Sequence, residues 1–188
     1  VHNIREKFDA RYFSENFNVN PDNLDHLEYT TTQNGTEMQV VEGTLDHYST
    51  MIDYIMNNDL NNVAIYNEIQ QRMNVDSFID HIIMTIYCAN TSWGHNREWW
   101  RPREENGKWQ WLIVDLDRGF NINNSNTNLV DNLKDDYELF QYLLNSPFFV
   151  DRFVQRSAAH LSNTFFAGRM NSIVDSLGSM INLEMPRH

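Results

Sequence analysis

Trp109-Gln110-Trp111-Leu112-Ile113-Val114-Asp115-Leu116-Asp117-Arg118-Gly119-Phe120 is the stretch whose reading decides the fold. Its apolar run over 111–114 predicts a strand, and the strand delivers two carboxylates, Asp115 and Asp117, out of a buried element into a cleft. Upstream stand Asn90-Thr91-Ser92-Trp93-Gly94-His95-Asn96 and Arg97-Glu98-Trp99-Trp100-Arg101. Asn106-Gly107 favours a tight hairpin turn, so 97–101 and 108–115 are predicted as two paired strands. Carboxylates so placed attract a hard cation, and Asn96 offers an amide oxygen to the same ion, which suits Mg2+, Mn2+ or Ca2+. The competing reading has either aspartate capping a loop or pairing with Arg118.

Around this block the pattern is mainly helical. Thr44 is placed to cap a helix carrying Tyr48, Met51, Ile52, Ile55 and Met56 at three-and-four spacing, ended by Asn57-Asn58-Asp59. A second run over 63–73 puts Ile65, Tyr66 and Ile69 on one face, and a third, Phe78 to Tyr87, is apolar enough to be central. Residues 120–128 are Asn-rich and loop-like. Helices resume at about 129–135, 137–145, 147–164 and 169–184, with Pro147 opening one and Gly168 breaking another. Residues 1–43 read as a connecting segment with small strands, among them Met38 to Val41 after a turn at Gln33-Asn34-Gly35-Thr36. The expected class is α+β, predominantly helical, with a small aromatic-rich β-hairpin, in one domain over 1–188.

Composition narrows the function. A net charge of −12 and a pI near 4.8 argue against a nucleic-acid or anionic-membrane partner, since few cations are there to displace those around phosphate. No stretch has the roughly 20 apolar residues of a membrane span. Cys88, the single cysteine, lies in the apolar run 82–89 and reads as a buried, inert thiol. The chain opens at Val1 without a basic-then-apolar leader, so it reads as a fragment or processed piece. All five tryptophans fall between Trp93 and Trp111; a carbohydrate-stacking platform is one reading, but aromatic residues on paired strands more often pack the core.

The central block resembles the CotH (spore-coat protein H) kinase family. That family's pattern is an Asn-x-Asp-Trp loop followed closely by Asn, an aromatic-rich strand, Gly-Lys-Trp before a second strand, and Asp-Leu-Asp with Gly-Phe close behind. Here these are Asn90-Thr91-Ser92-Trp93, Asn96, Trp99-Trp100, Gly107-Lys108-Trp109, Asp115-Leu116-Asp117 and Gly119-Phe120. Ile4-Arg5-Glu6-Lys7-Phe8-Asp9 is similar to the segment linking the family's two lobes, Glu42-Gly43 and its following helix are similar too, and Glu184 and His188 resemble a late helical segment.

The resemblance implies a protein-kinase-like C-terminal lobe, with 1–43 as interlobe segment, 44–188 as the helical lobe, and a small N-terminal lobe expected in the parent chain. It implies ATP and Mg2+ (or Mn2+ or Ca2+) as cofactors and a protein hydroxyl as acceptor, outside or at the surface of the cell as in related bacterial proteins. Asp115 matches the metal-binding aspartate, Asp117 a second ligand or loop anchor, and Asn96 the asparagine that completes the metal shell. His95 could position a phosphate or orient the loop. Ser92 departs from the pattern: the family's usual aspartate there orients or accepts the substrate proton, which a neutral serine cannot take. Arg97, Arg101 and Lys108 add positive charge but read as exposed hairpin residues. The chain lacks a Gly-rich phosphate loop and a nucleotide-binding lysine upstream of Ile4, so the alternatives are a noncatalytic pseudokinase module for surface assembly or adhesion, and a calcium-stabilised structural domain.

Overall fold

The computed structural model describes residues 7–33, 35–124 and 126–182. Ile4-Arg5-Glu6, Asn34, Glu184 and His188, all named above, lie outside them. The chain divides into two compact units, Val1–Val150 and Asp151–His188.

The first unit begins with a helix where a connecting segment was expected. Asp9 accepts from Tyr12 N (3.1 Å) and caps α1 (Ala10–Phe17), which Asn18 closes in left-handed backbone at φ 55°. The strands β1 (Leu24–Thr32) and β2 (Gly35–Glu42) follow, and they are the longest of the sheet. Three helices come next, α2 (Asp46–Met56), α3 (Val63–Arg72) and α4 (Val75–Tyr87), where the periodicity puts them. Thr44 does not cap α2. The helix starts after Leu45, whose side chain has no oxygen to cap with, and Thr44 N donates instead to Asp25 Oδ1 (2.9 Å).

Strand β3 (Arg97–Pro102) pairs antiparallel with β1 and with β4 (Gln110–Trp111), giving the order β2-β1-β3-β4. The sheet is thus wider than a hairpin. The predicted strand over 108–115 shrinks to two residues, and Asn106-Gly107 ends a turn over Glu104–Gly107, Gly107 N donating to Glu104 O (3.0 Å), within a connection longer than a tight hairpin. Trp109 instead turns away from β3 to the α3–α4 junction, where Trp109 N donates to Arg72 O (3.1 Å) and Asn74 N to Trp109 O (2.8 Å). Beyond lie α5 (Leu129–Asp136), α6 (Glu138–Leu143) and the start of α7 (Pro147–Ala159), which Pro147 opens as predicted.

Trp99 and Trp100 show how the sheet is covered. Neighbouring side chains on a strand point to opposite faces, yet Trp99 is 1% and Trp100 2% exposed. Both faces are therefore packed. Trp100 sits with Phe13, Val19, Leu24 and Leu112, its ring 4.8 Å from those of Phe13 and Phe17 of α1. Trp99 lies 5.1 Å from Tyr48 of α2 on the other face. A ring of this size buries roughly 150–250 Å2, about 4–6 kcal/mol of apolar transfer each. The same placement turns Arg97 and Arg101 inward: each is 7% exposed, which corrects the expectation of exposed hairpin residues. Arg101 faces Asp25 across the β1–β3 ladder (3.5 Å), and Arg97 lies over the rings of Tyr29 (4.2 Å) and Tyr137 (4.4 Å). With all five tryptophans buried, no stacking platform is presented.

The second unit contains the end of α7, a π-helical turn His160–Thr164 and α8 (Ala167–Ile181). Gly168 lies inside the first turn of α8, so the break falls at Phe165-Phe166 and not at the glycine. Ile173, Val174, Leu177, Met180 and Ile181 of α8 are exposed.

Candidate functional site

The C-terminal end of α4 assembles both loops that carry the predicted site residues. Along the helix, Ser77 and His81 lie four residues apart and so on one face. Ser77 Oγ accepts from Trp111 N (2.8 Å) and lies 3.3 Å from Trp111 O, while His81 Nδ1 donates to Leu112 O (3.0 Å). These bonds fix the segment that runs into Asp115.

His81 is wholly buried, and that burial pulls its pKa down to about 4; Arg97 lowers it further and the Leu112 bond opposes the shift. The folded protein therefore keeps His81 neutral where the unfolded chain protonates it. The contribution is complete above pH 6.5 and is lost as pH falls from 6.5 to about 4, up to about 3 kcal/mol in all. Urea unfolding at pH 7.5 and pH 4.5 is expected to show a smaller pH-induced loss in His81→Gln than in the parent, and equal losses would count against this origin.

At the helix end, Ala89 N donates to Ile86 O (3.0 Å) and Asn90 N to Thr85 O (3.1 Å), with Ala89 left-handed at φ 50°. This is a Schellman closure built without glycine. Asn90, 2% exposed, then does two jobs: its Oδ1 accepts from Ser92 N (3.1 Å) and its Nδ2 donates to Asp115 O (3.2 Å). Phe120 N donates to Cys88 O, and a Cβ on Gly119 would lie 3.1 Å from Cys88 Cβ. The loops 89–96 and 115–120 are thereby bound side by side. Of the four non-glycine residues at positive φ among the described residues, three, Ala89, Asp115 (φ 45°) and Phe120 (φ 54°), stand at this junction. Such backbone persists only where its surroundings over-determine it.

Within the first loop, Ser92 Oγ and His95 Nε2 are 3.2 Å apart, and Asn96 Nδ2 donates to Ser92 O (3.2 Å). That bond leaves the Asn96 oxygen free of hydrogen bonds among the described residues. In the second loop, Asp115 Oδ1 accepts from Asp117 N (3.3 Å), so Asp115 does shape its own turn, and both carboxylates are exposed. Neither pairs with Arg118 among the described residues. Ser92, His95 and Asn96 are thus joined directly, Asp115 and Asp117 are joined directly, and Asn90 links the groups. Cys88 is fully buried and burial pushes its thiol up to about 11, in keeping with an inert cysteine.

The donor chemistry can be tested against a cation. Among the described residues no three His, Cys, Asp or Glu side chains gather as a ligand set. A protein-built calcium site uses about 6–8 oxygens, whereas magnesium commonly takes one or two carboxylates and keeps waters and phosphate oxygens. Asp115, Asp117 and Asn96 fit the second habit.

Asn90, Ser77 and His81 were not assigned roles from sequence. An asparagine three residues past the end of an apolar helix is a turn signal that could have singled out Asn90. His81 and Ser77 carry no local signal, since their partners lie 31 and 34 residues away.

No curated protein and no solved structure matches the chain. The model of the family described as CotH kinase protein matches residues 2–188. On that match, over nearly its whole length, the chain belongs to the CotH kinase family.

Proposed function

We propose that this chain forms the metal-and-catalytic-loop lobe of an ATP-dependent kinase acting on protein hydroxyls, outside or at the surface of the cell. The observation that carries the reading is the bond from Asn90 Nδ2 to Asp115 O, which holds the acidic turn against the Ser92–Asn96 loop. Asp115 would be the principal ligand of Mg2+, with Asp117 and Asn96 completing the protein's share. When bound, the cation neutralises charge developing on the phosphoryl oxygens.

Proton removal needs a different account in this chain. The acceptor oxygen forms its bond to the γ-phosphorus as the bond to the leaving ADP oxygen breaks, and the hydroxyl proton must go to a base. Ser92 by itself cannot take it at neutral pH. His95 Nε2, 3.2 Å from Ser92 Oγ, is the titratable atom at that position, and in the tautomer with its proton on Nδ1 it accepts. Ser92 Oγ, whose hydrogen bond occupies the Nε2 lone pair, passes its own proton to Nε2 as it takes the acceptor's.

Phosphate transfer from ATP to a protein acceptor, measured with Mg2+ on a chain extended N-terminally, tests the reading. His95→Gln is expected to lower kcat about 100-fold, and adding Ser92→Asp is expected to restore much of it. Transfer indifferent to His95→Gln removes His95 from the chemistry, and no metal-dependent ATP binding by the extended chain removes the kinase reading. Ser92 itself favours one alternative, a noncatalytic assembly or adhesion module that keeps the fold, which predicts no transfer under any of these conditions.

A further inference from the structure

A pocket of about 250 Å3 lies in the first unit, with neither Asp115 nor Asp117 in its lining, and two deeply buried donors of its wall lack acceptors. Trp99 is 1% exposed, and its Nε1 is buried without a hydrogen-bond partner among the described residues. A polar atom so placed ordinarily has one. Arg97, 7% exposed, lines the same pocket, and no carboxylate pairs with it among the described residues. Its Nε donates to Gly94 O (3.3 Å) and its guanidinium hydrogen-bonds the Tyr137 hydroxyl. A guanidinium has more N–H groups than those two acceptors use. The rings of Tyr29 (4.2 Å), Tyr137 (4.4 Å) and Trp93 (5.2 Å) soften its charge without neutralising it.

Arg97 and Trp99 stand two residues apart on β3, so both side chains leave the same face of the sheet. Together they call for an acceptor that carries negative charge. A carboxylate meets that demand, with one oxygen for the guanidinium and one for the indole N–H. The outer part of the pocket limits what else the ligand can be. Asp53, Asp136 and Glu138 line it, all exposed and without an ion pair or side-chain hydrogen bond among the described residues. They repel a plain anion and favour a cationic donor.

A molecule with a carboxylate at one end and an ammonium beside it satisfies both parts, whereas a phosphate or a nucleotide satisfies only the first. Met38, Ile52 and Leu139 supply apolar wall for a side chain. The volume is below the roughly 300–1,000 Å3 of pockets for drug-sized ligands, which suits a single small zwitterion. We propose that this pocket binds a free α-amino acid with an apolar side chain, its carboxylate on Arg97 and Trp99 Nε1 and its ammonium toward Asp53, Asp136 and Glu138. Tyr137 stacks on Trp93 (5.8 Å, 16° between planes) and Arg97 holds Gly94 O, so the bound carboxylate meets the guanidinium that braces the Ser92–Asn96 loop.

The inference goes beyond phosphoryl transfer, and its test uses no nucleotide. The 188-residue chain is titrated with L-leucine, with leucinamide, which lacks the carboxylate, and with isocaproate, which lacks the ammonium; calorimetry and the indole N–H resonances are the readouts. L-leucine is expected to bind saturably and to shift the indole resonance that Trp99→Phe removes. Leucinamide is expected to bind about tenfold more weakly or worse, since it forfeits the charge-assisted bonds to Arg97. Isocaproate is expected to bind roughly threefold more weakly or worse, and Asp136→Asn with Glu138→Gln, both exposed, to weaken L-leucine by a similar factor at an unchanged melting temperature. No saturable binding of L-leucine, or binding that leaves the Trp99 indole resonance in place, overturns the proposal. So does leucinamide or isocaproate binding as tightly as L-leucine, or an unaltered L-leucine affinity in the double variant.

Discussion

Gly43→Ala is expected to destabilise the first unit by about 3–5 kcal/mol, lowering the melting temperature by roughly 10 °C for a chain of this size. Gly43 sits at φ +74°, where an L side chain is strained by about 1–2 kcal/mol. A Cβ there would also run into Asp25 Oδ1 and the Leu24 carbonyl. Asp25 is 2% exposed, and its carboxylate is held by Thr44 N (2.9 Å), Arg101 Nε (3.5 Å) and Arg103 Nε (3.8 Å). Pushing the Gly43–Thr44 backbone away removes the one hydrogen bond in that set and leaves a buried charge less well paired. Two other glycines separate the causes. Gly35 lies at φ +114° with nothing within 4 Å, so alanine there meets backbone strain alone; Gly94 has neither strain nor neighbour, so alanine should be nearly neutral. The expected order of loss in thermal or urea unfolding is Gly43, then Gly35, then Gly94. If Gly43→Ala costs no more than Gly35→Ala, the Asp25 junction does not hold β1 to α2 in the way described.

The same junction shows where sequence reading reached and where it stopped. Helices α2, α3 and α4 were legible because their apolar residues recur at three-and-four spacing, and burial of Met51, Ile55, Ile69, Phe78 and Ile82 follows that spacing. Strand β1 was not, because all of Leu24, Asp25, His26 and Leu27 are buried and a strand packed on both faces shows no alternation. Asp25 and His26 are polar, which disguised the strand further; only their partners Arg101 and Glu98 on β3, more than 70 residues on, make them tolerable inside. The strand over 108–115 was over-extended for a related reason. Its apolar composition promises a partner along its whole length, but Trp109 bonds to the α3–α4 junction and Asp115 turns into left-handed backbone. At the candidate site, the proposed ligands were nominated by residue type, since a hard cation takes carboxylate and amide oxygens. The supports were not, because Ser77, His81 and Asn90 act through backbone groups that carry no sequence signature.

Asp115→Asn is expected to lower Mn2+ affinity about 100-fold or more, with and without ATP, and to leave the melting temperature within a degree or two. The fold should be indifferent because each structural duty of Asp115 survives the change. Asparagine accepts left-handed backbone at φ 45° at least as readily as aspartate, the carbonyl still receives Asn90 Nδ2, and an amide oxygen can still receive Asp117 N. What disappears is one negative charge from a donor set that has two, and a hard cation is held chiefly by charge. Asp115→Ala makes the contrast. It removes the same ligand but also the side chain that shapes the turn, so it should lose metal affinity and about 1 kcal/mol or more of stability together. Asp117→Asn, whose side chain has no part in linking the loops, should weaken Mn2+ less than Asp115→Asn does. Calorimetry with Mn2+, paired with thermal melts of the three variants, separates ligand from scaffold. An Asp115→Asn protein that binds Mn2+ as its parent does, while melting at the same temperature, would reduce this aspartate to a residue that merely shapes its loop, and the metal-dependent reading of the lobe would fall with it.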